Sequence, residues 1–367
     1  MGMSQVMTLL MLLLGLRLRV VSSAALALDP RLPLYQASGT HYEVGKQIGE
    51  QARERVQPYL KAYPSLAKLK AYAKTAAGAA NIKTLIAVNS AAFPELFEEM
   101  RGLAHGAAVD YNDVIYMNMR HELNALIKTS QNVTGADAHS INECSDVLLG
   151  GRGFGHNEDG WIDLHRYAFL VNASFTNSST SSGYLAFHYP ASLAGHAFGF
   201  NRHGLAFSMN ALSPNLSVGA NADGLAIYLL CRSMVDAKNI SQAVDRAQPM
   251  HQKIAYGGSW NVGSVHNRRV VNIEVGPGVG QVTTKECSDD NVVFHFNEYT
   301  HSPTVEQYMS NSTNHRRARS VVINATKPIV AVGDAVNVLG DTGDKRYAPP
   351  ARPAARCCHH RGWRARV

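Results

Sequence analysis

Cysteine is the residue here whose setting most suggests covalent chemistry. The chain holds five: Cys144, Cys231, Cys287, Cys357 and Cys358. Residues 142–161 read NECSDVLLGGRGFGHNEDGW, placing Cys144 where a polar stretch gives way to an apolar one. A free thiol has a pKa of about 8.5, so near neutral pH few such groups are nucleophilic without a nearby base. The local signature of cysteine proteases with a histidine partner is absent. Cutting the peptide bond between Glu143 and Cys144 supplies another base, because the new α-amine has a pKa near 8 and lies beside its own thiol. The competing reading is a buried core cysteine ahead of an ordinary strand.

An odd number of cysteines leaves at least one thiol unpaired in an oxidising compartment, and Cys144 is the candidate; a Cys231–Cys287 disulfide is an open alternative for the others. Two lines point to that compartment. Residues 6–16 (VMTLLMLLLGL) are too short a run to span a bilayer comfortably, and Ala25-Leu26-Ala27 has the form of a signal-cleavage site. The rival is an uncleaved anchor, since no Lys or Arg precedes the run and Arg17 and Arg19 follow it. Asn132, Asn172, Asn177, Asn215, Asn239, Asn311 and Asn324 all open glycosylation sequons, against about three expected by chance.

The formal charge of +7 sits at the two ends: Arg17 and Arg19 in the leader, and Arg352, Arg356, Arg361, Arg364 and Arg366 in the tail. The body between is neutral, so nucleic acid is discarded as a partner. The hydrophobic share of 46% is that of a globular protein, and 367 residues suffice for one large domain or two ordinary ones.

The elements that must position Cys144 divide at the same place. Residues 36 to about 128 read as helical, with Val44, Ile48, Ala52, Val56 and Leu60 at four-residue steps and a second stripe of Leu96, Met100, Leu103 and Ala107. Pro58 is expected to bend or end the first helix, and Asn112 to cap a third running from Asp113 to about Leu126. Residues 128–142 read as an exposed linker. Beyond Cys144 come short β-branched or aromatic segments: SDVLLGG, YAFLVNASF, GYLAFHYP, GLAFSMNAL, SWNVGSVH, RVVNIEV and NVVFHFNEY. A helix is expected at about 222–246. From residue 348 the Pro-, Ala- and Arg-rich tail carries no pattern, and its adjacent Cys and His lack the spacing to surround a metal ion. No metal or cofactor is expected. The GPGVG run at 276–280 precedes a strand, unlike a phosphate cradle.

The sequence resembles the acyl-coenzyme A:isopenicillin-N acyltransferase family, which includes N-β-alanyl-dopamine hydrolases and consists of self-processing cysteine enzymes of the N-terminal-nucleophile type. The resemblance rests on ordered blocks over residues 41–320: HYEVGKQIGE, the Arg-Gly helix and N-x-R-x-E segment of 93–123, ECSDV, GHNEDG, GFNRHGLAFSMNAL, VVNIEVGP and FHFNEY. It implies an α+β, four-layer αββα sandwich. The division is a signal peptide (1–27), a helical chain released by self-cleavage (28–143), a strand-rich catalytic chain (144–347) and an atypical tail, expected to be disordered or frameshifted (348–367). The two cut chains stay together as a heterodimer.

Cys144 is then the nucleophile in an N-to-S acyl shift, Asp159 orients the freed amine, and Asn297 donates to the oxyanion, with Asn157 and Asn210 as pocket neighbours. The plain readings are a turn residue for Asp159, a strand-edge residue for Asn297 and a surface ion pair for Arg120 and Glu122. Hydrolysis of a small N-acyl amine, of the N-β-alanyl type, is the preferred activity. Transfer from acyl-coenzyme A through the same site, and an inactive secreted glycoprotein, are the alternatives. The resemblance fades after GDTGDKRY (340–347), where the family carries further strands.

Overall fold

The computed structural model describes residues 32–131, 144–160, 163–176, 182–215, 221–248, 252–289, 291–302, 305, 307, 311–339 and 364–366. The leader, Glu143, Asn132, Asn177 and the Cys357–Cys358 pair lie outside these.

The first part is helical, as the stripes require, after a strand the sequence reading missed: β1 (Leu34–Gly39). Helices α1 (His41–Gln51), α2 (Arg53–Ala62), α3 (Pro64–Ala73), α4 (Ala76–Ala92), α5 (Pro94–Ala107), α6 (Tyr111–Asn118) and α7 (Arg120–Ser130) follow. Thr40 and Glu43 start α1 with a reciprocal capping box. The expected break at Pro58 lies earlier, at Ala52, which leaves the helical region. Helix α2 runs through Pro58 to Ala62, because buried Val56, Tyr59 and Leu60 hold the turn despite the hydrogen bond proline cannot donate. The cap expected at Asn112 is Asp110, whose carboxylate accepts from the Asn112 N–H, and the expected third helix is two, parted at Met119.

Helices α1 and α5 cross almost backbone to backbone. A Cβ on Gly45 would stand 2.0 Å from Glu99 O, and one on Gly102 would stand 2.0 Å from Tyr42 O. Gly49 and Gly106 repeat the contact one turn on. Two glycines four apart on each helix therefore make the crossing possible. The same crossing buries Glu99, which Arg232 (0% exposed) meets at 3.0 Å and the His41 ring at 2.8 Å.

Every strand segment named from the sequence forms a strand. They are β2 (Ser145–Leu149), β4 (Phe169–Phe175), β5 (Ser182–His188), β7 (Leu205–Ala211), β8 (Gly258–Ser264), β9 (Arg269–Val275) and β11 (Val292–His295). Four more join them: β3 (Gly153–Asp159), β6 (Phe198–Asn201), β10 (Val282–Glu286) and β12 (Arg364–Arg366). The GPGVG run is the turn between β9 and β10, with Gly278 and Gly280 at positive φ. The expected helix at 222–246 is two, α8 (Ile227–Val235) and α9 (Ile240–Ala247), the second capped by Asn239. Helices α10 (Asn311–Thr326) and α11 (Val332–Leu339) close the body.

The strands form two sheets, ordered β1-β4-β5-β6-β7-β8-β9-β10 and β11-β2-β3-β12. All pairings are antiparallel except β1 with β4. Strand β12 falls in the tail, where the sequence shows no strand pattern, and pairs with β3. Val44, Ile48, Met100 and Leu103 of α1 and α5 share a core with Phe169, Val171 and Phe175 of the large sheet. Helices α8 and α9 cover β7–β9 through Leu230, Ile240, Trp260 and Ile273. On the small sheet, Val147 and Leu149 pack under Ala335, Val338 and Leu339 of α11. Leu148 meets Val270 of the large sheet from the opposite face of β2. The order of layers is therefore helix, sheet, sheet, helix: the αββα sandwich expected from the resemblance.

Candidate active site

Strand alternation decides what surrounds Cys144. Val147 and Leu149 of β2 face α11, so Asp146 and Leu148 face the large sheet. Asp146 lies opposite His156 of β3. Glu158, two residues on from His156 along β3, shares this inner face, and Cys144, which immediately precedes β2, brings its thiol to it.

The side chains there form one chain of contacts. The Cys144 thiol, 4% exposed, donates to Glu158 Oε1 at 3.7 Å. Glu158 Oε2 meets His156 Nε2 at 3.0 Å, and His156 Nδ1 lies 3.0 Å from both carboxylate oxygens of Asp146. Ser208 of β7 donates to Asp146 at 2.7 Å, and Tyr189 donates to Glu158 Oε1. Behind Tyr189 stands Arg120, whose guanidinium lies 5.5 Å from the Tyr189 ring centre and 4.3 Å from that of Tyr228. Arg120 and Glu122 are thus not a surface ion pair. Both are buried, Arg120 on Met117 O and Ser192 Oγ, and Glu122 on the Ile227 N–H at the start of α8.

Burial acts against the charge on each group. Burial and then the Glu158 charge push the Cys144 thiol up to about 12. Burial would push His156 down, but the Asp146 carboxylate overrides it and holds the ring well above the usual histidine value. The His156 ring is thus favoured in its charged form between the Asp146 and Glu158 side chains, and Cys144 in its thiol form. Cys144, Cys231 and Cys287 are all free. The Cys231–Cys287 disulfide left open by the sequence is not formed. Cys231 accepts from the Trp260 indole, and Cys287 donates to Leu148 O and Asn291 O.

A cation the sequence reading did not name reaches Cys144 from α10. Arg316 Nη1 donates to Cys144 O at 2.7 Å and to Ser145 Oγ, and Nη2 donates to Asn297 Oδ1 at 3.0 Å. Its guanidinium lies 5.2 Å from the Phe296 ring centre. Asn297 is buried and also donates to Ala211 O at 2.8 Å. Arg316 thus brings Cys144 and Asn297 to one place.

Asn210 is 0% exposed; its carbonyl accepts from Asn261, and its Nδ2 has no hydrogen-bond partner among the described residues. Asn261 also donates to Ser208, which connects Asn210 to Asp146. Asp159 ends β3 next to Glu158, and its backbone N–H approaches the Cys144 sulfur. Asn157 points elsewhere, donating to Leu339 O on the helix-covered face. Cys144, His156 and Glu158 also offer three potential metal-ligand atoms, all within 4.8 Å of one another.

Among the sequons in described residues, Asn172 lies in the middle of β4. Asn239 caps α9, accepting from the Gln242 N–H, and Asn324 accepts from the Ile329 N–H. No helix among the described residues is long and apolar enough to cross a membrane.

Sequence reasoning missed Asp146, His156, Glu158, Tyr189 and Arg316. The first three carried a usable signal. Read as strands, CSD and HNE each place alternate residues on one face, and pairing them puts all three groups against the thiol.

The chain is 24% identical over 225 residues to the beta-alanyl-dopamine/carcinine hydrolase of Drosophila melanogaster, an overlap of 58% of this chain. The chain spans about half of that relative, 56% of its length. The solved penicillin V acylase of Agrobacterium tumefaciens is similar over 50% of each chain, at 12% identity and a TM-score of 0.23. Residues 149–348, more than half of the chain, match the family model described as acyl-coenzyme A:6-aminopenicillanic acid acyl-transferase, and the chain belongs to that family.

Proposed function

We propose that the chain is a self-processing cysteine amidohydrolase that cleaves small N-acyl amines, of the N-β-alanyl type, through a thioester on Cys144. The observation that carries this reading is the Cys144 thiol itself: unpaired, immediately before strand β2, hydrogen-bonded to the Glu158 carboxyl group, with an arginine on its own carbonyl.

In the first stage the Cys144 sulfur attacks the carbonyl carbon of residue 143. The bond to the Cys144 nitrogen breaks, and water hydrolyses the resulting thioester. The products are a chain ending at Glu143 and a chain beginning with a free α-amine on Cys144. The thiol is buried in the uncut chain. In the second stage the amine takes the thiol proton, and Asp159 orients that amine. Asn297 and Asn210 offer amide N–H groups to the tetrahedral oxyanion, a role that suits an Asn210 Nδ2 buried without an acceptor. The acyl group passes to Cys144, the amine leaves, and water releases the acid.

The two cut chains remain one heterodimer, since α1–α7 share a core with the large sheet. The relative's name speaks for hydrolysis. The family's description favours a second reading, in which an acyl-coenzyme A thioester loads Cys144 and an amine resolves it. The leader and the sequons support a secretory route, in which water is the ready acceptor.

Intact-mass measurement and N-terminal sequencing test the first stage. Two fragments meeting at Glu143/Cys144, lost in Cys144→Ala, are expected; a wild-type chain that stays whole refutes it. Amine release from N-β-alanyl amines, with and without coenzyme A thioesters, then separates hydrolase from transferase.

A further inference from the structure

The α-amine that serves the mature enzyme does not exist while the chain is whole, because that nitrogen is still an amide. The thiol must nevertheless lose its proton for the first cut, and burial works against the thiolate. We propose that Glu158 is the base for self-cleavage, taking the Cys144 proton on Oε1, with His156 and Asp146 holding it in place. The inference rests on the self-processing reading above.

Three features single out Glu158. Its Oε1 is the oxygen to which the thiol donates, at 3.7 Å, and it is 2% exposed, so water does not compete for it. Its other oxygen is fixed at 3.0 Å on His156 Nε2, and that ring is fixed in turn by Asp146. The groups facing Glu158 are thus Cys144, the His156 ring, the Tyr189 hydroxyl and, through Tyr189, Arg120. Two donors thus orient the carboxyl group, and the thiol is the acid within its reach.

The step balances. The thiol proton passes to Glu158 Oε1, and the sulfur bonds to the carbonyl carbon before it. As the carbon–nitrogen bond breaks, Glu158 returns the proton to the Cys144 nitrogen. One water then hydrolyses the thioester, and no other reagent is consumed.

The test is the first-order rate of self-cleavage of the full chain, followed by gel and mass spectrometry against pH, in wild type, Cys144→Ala, Glu158→Gln and Tyr189→Phe. Loss of a general base predicts that Glu158→Gln slows cleavage by about 100-fold or more. It also predicts a rate that rises in proportion to hydroxide instead of levelling off. A carboxylate that is merely a charged neighbour predicts the opposite sign, because removing its charge lowers the thiol pKa and speeds the cut. Glu158→Gln cleaving as fast as wild type, or faster, overturns the proposal.

Should Glu158→Gln fail to fold, judged by thermal melting, Tyr189→Phe decides. Removing a donor makes the carboxylate more basic, so the rising limb of the profile moves to higher pH with cleavage retained. An unmoved limb overturns the proposal. A wild-type chain that stays whole defeats the self-processing reading, and this proposal with it. A cut wild type with a rapidly cut Glu158→Gln defeats this proposal alone.

Discussion

Arg316→Lys isolates what the guanidinium does beside Cys144, the nucleophile proposed above. Arg316 addresses its acceptors from two different nitrogens: Nη1 takes Cys144 O and Ser145 Oγ, and Nη2 takes Asn297 Oδ1. A lysine carries one nitrogen, so it keeps the charge and gives up one side of the fork. A hydrogen bond from a charged donor contributes about 1.5–3 kcal/mol, and each 1.36 kcal/mol of barrier is tenfold in rate. If that bond holds Asn297 in its productive orientation, self-cleavage and the kcat for amide hydrolysis both fall roughly 10- to 150-fold. Arg316 is only part-buried, so the melting temperature should change little. The assay compares cleavage half-times of purified Arg316→Lys and wild type, then steady-state amine release by the mature forms. Rates within threefold of wild type in a protein that melts normally would refute the placement of Arg316 at the reacting centre. A fall in KM alone, with kcat unchanged, would refute it too.

Two further outcomes concern the frame around the site. Gly102→Ala puts a methyl carbon 2.0 Å from Tyr42 O, so α1 and α5 must separate; a loss of about 3 kcal/mol or more is expected, read as a lower urea midpoint, and an unchanged midpoint refutes the close crossing. Burial pushes the Glu122 carboxyl up to about 7 from its ordinary 4.5, so the folded chain holds a proton there that the unfolded chain has lost. That stability is full below about pH 4.5 and disappears as the pH climbs to about 7, worth about 3 kcal/mol. Glu122→Gln stays neutral throughout, so the difference in urea stability between variant and wild type should grow in the variant's favour over that window. A constant difference refutes it.

The strands were legible because their composition is explicit. YAFLVNASF and RVVNIEV are β-branched, aromatic and bounded by turn residues, and they lie inside the sheet. Strand β3 was not, because GFGHNED is rich in Gly, Asn and Asp, residues that favour turns; pairing with β2 overrides that preference. Pro58 and Asn112 misled for the same reason: local preference names plausible breaks and caps, and the choice among them falls to packing. The glycine pairs Gly45/Gly49 and Gly102/Gly106 were in plain view, but nothing in either helix alone says that it meets the other. Of the site, Cys144 was visible at a change of composition. Its partner Arg316 is 172 residues away and reaches Cys144 O only through the packing of α10. A periodicity argument cannot span that distance.

The layer between the sheets explains why such a site is stable. Inside most sandwiches the facing sheets interdigitate apolar side chains. Here Asp146, Ser208, Asn261, Asn272, Ser259, His295 and Glu274, all buried, run as a continuous hydrogen-bonded file through the middle layer. The apolar contact of Leu148, Val270, Phe154 and Val293 lies beside it. A buried polar group left without a partner costs roughly 1–3 kcal/mol, so this file is tolerable only because nearly every member is satisfied. The chain meets that cost on its outer faces, where α1–α9 bury the large sheet and α11 the small one in apolar cores. Stability and chemistry thus occupy different layers. The outer layers fix the two sheets at a set separation, and that separation holds the thiol, carboxylate, imidazole and amide groups in register. Loosening an outer layer, as Gly102→Ala does, should therefore slow self-cleavage even under conditions where the chain remains folded.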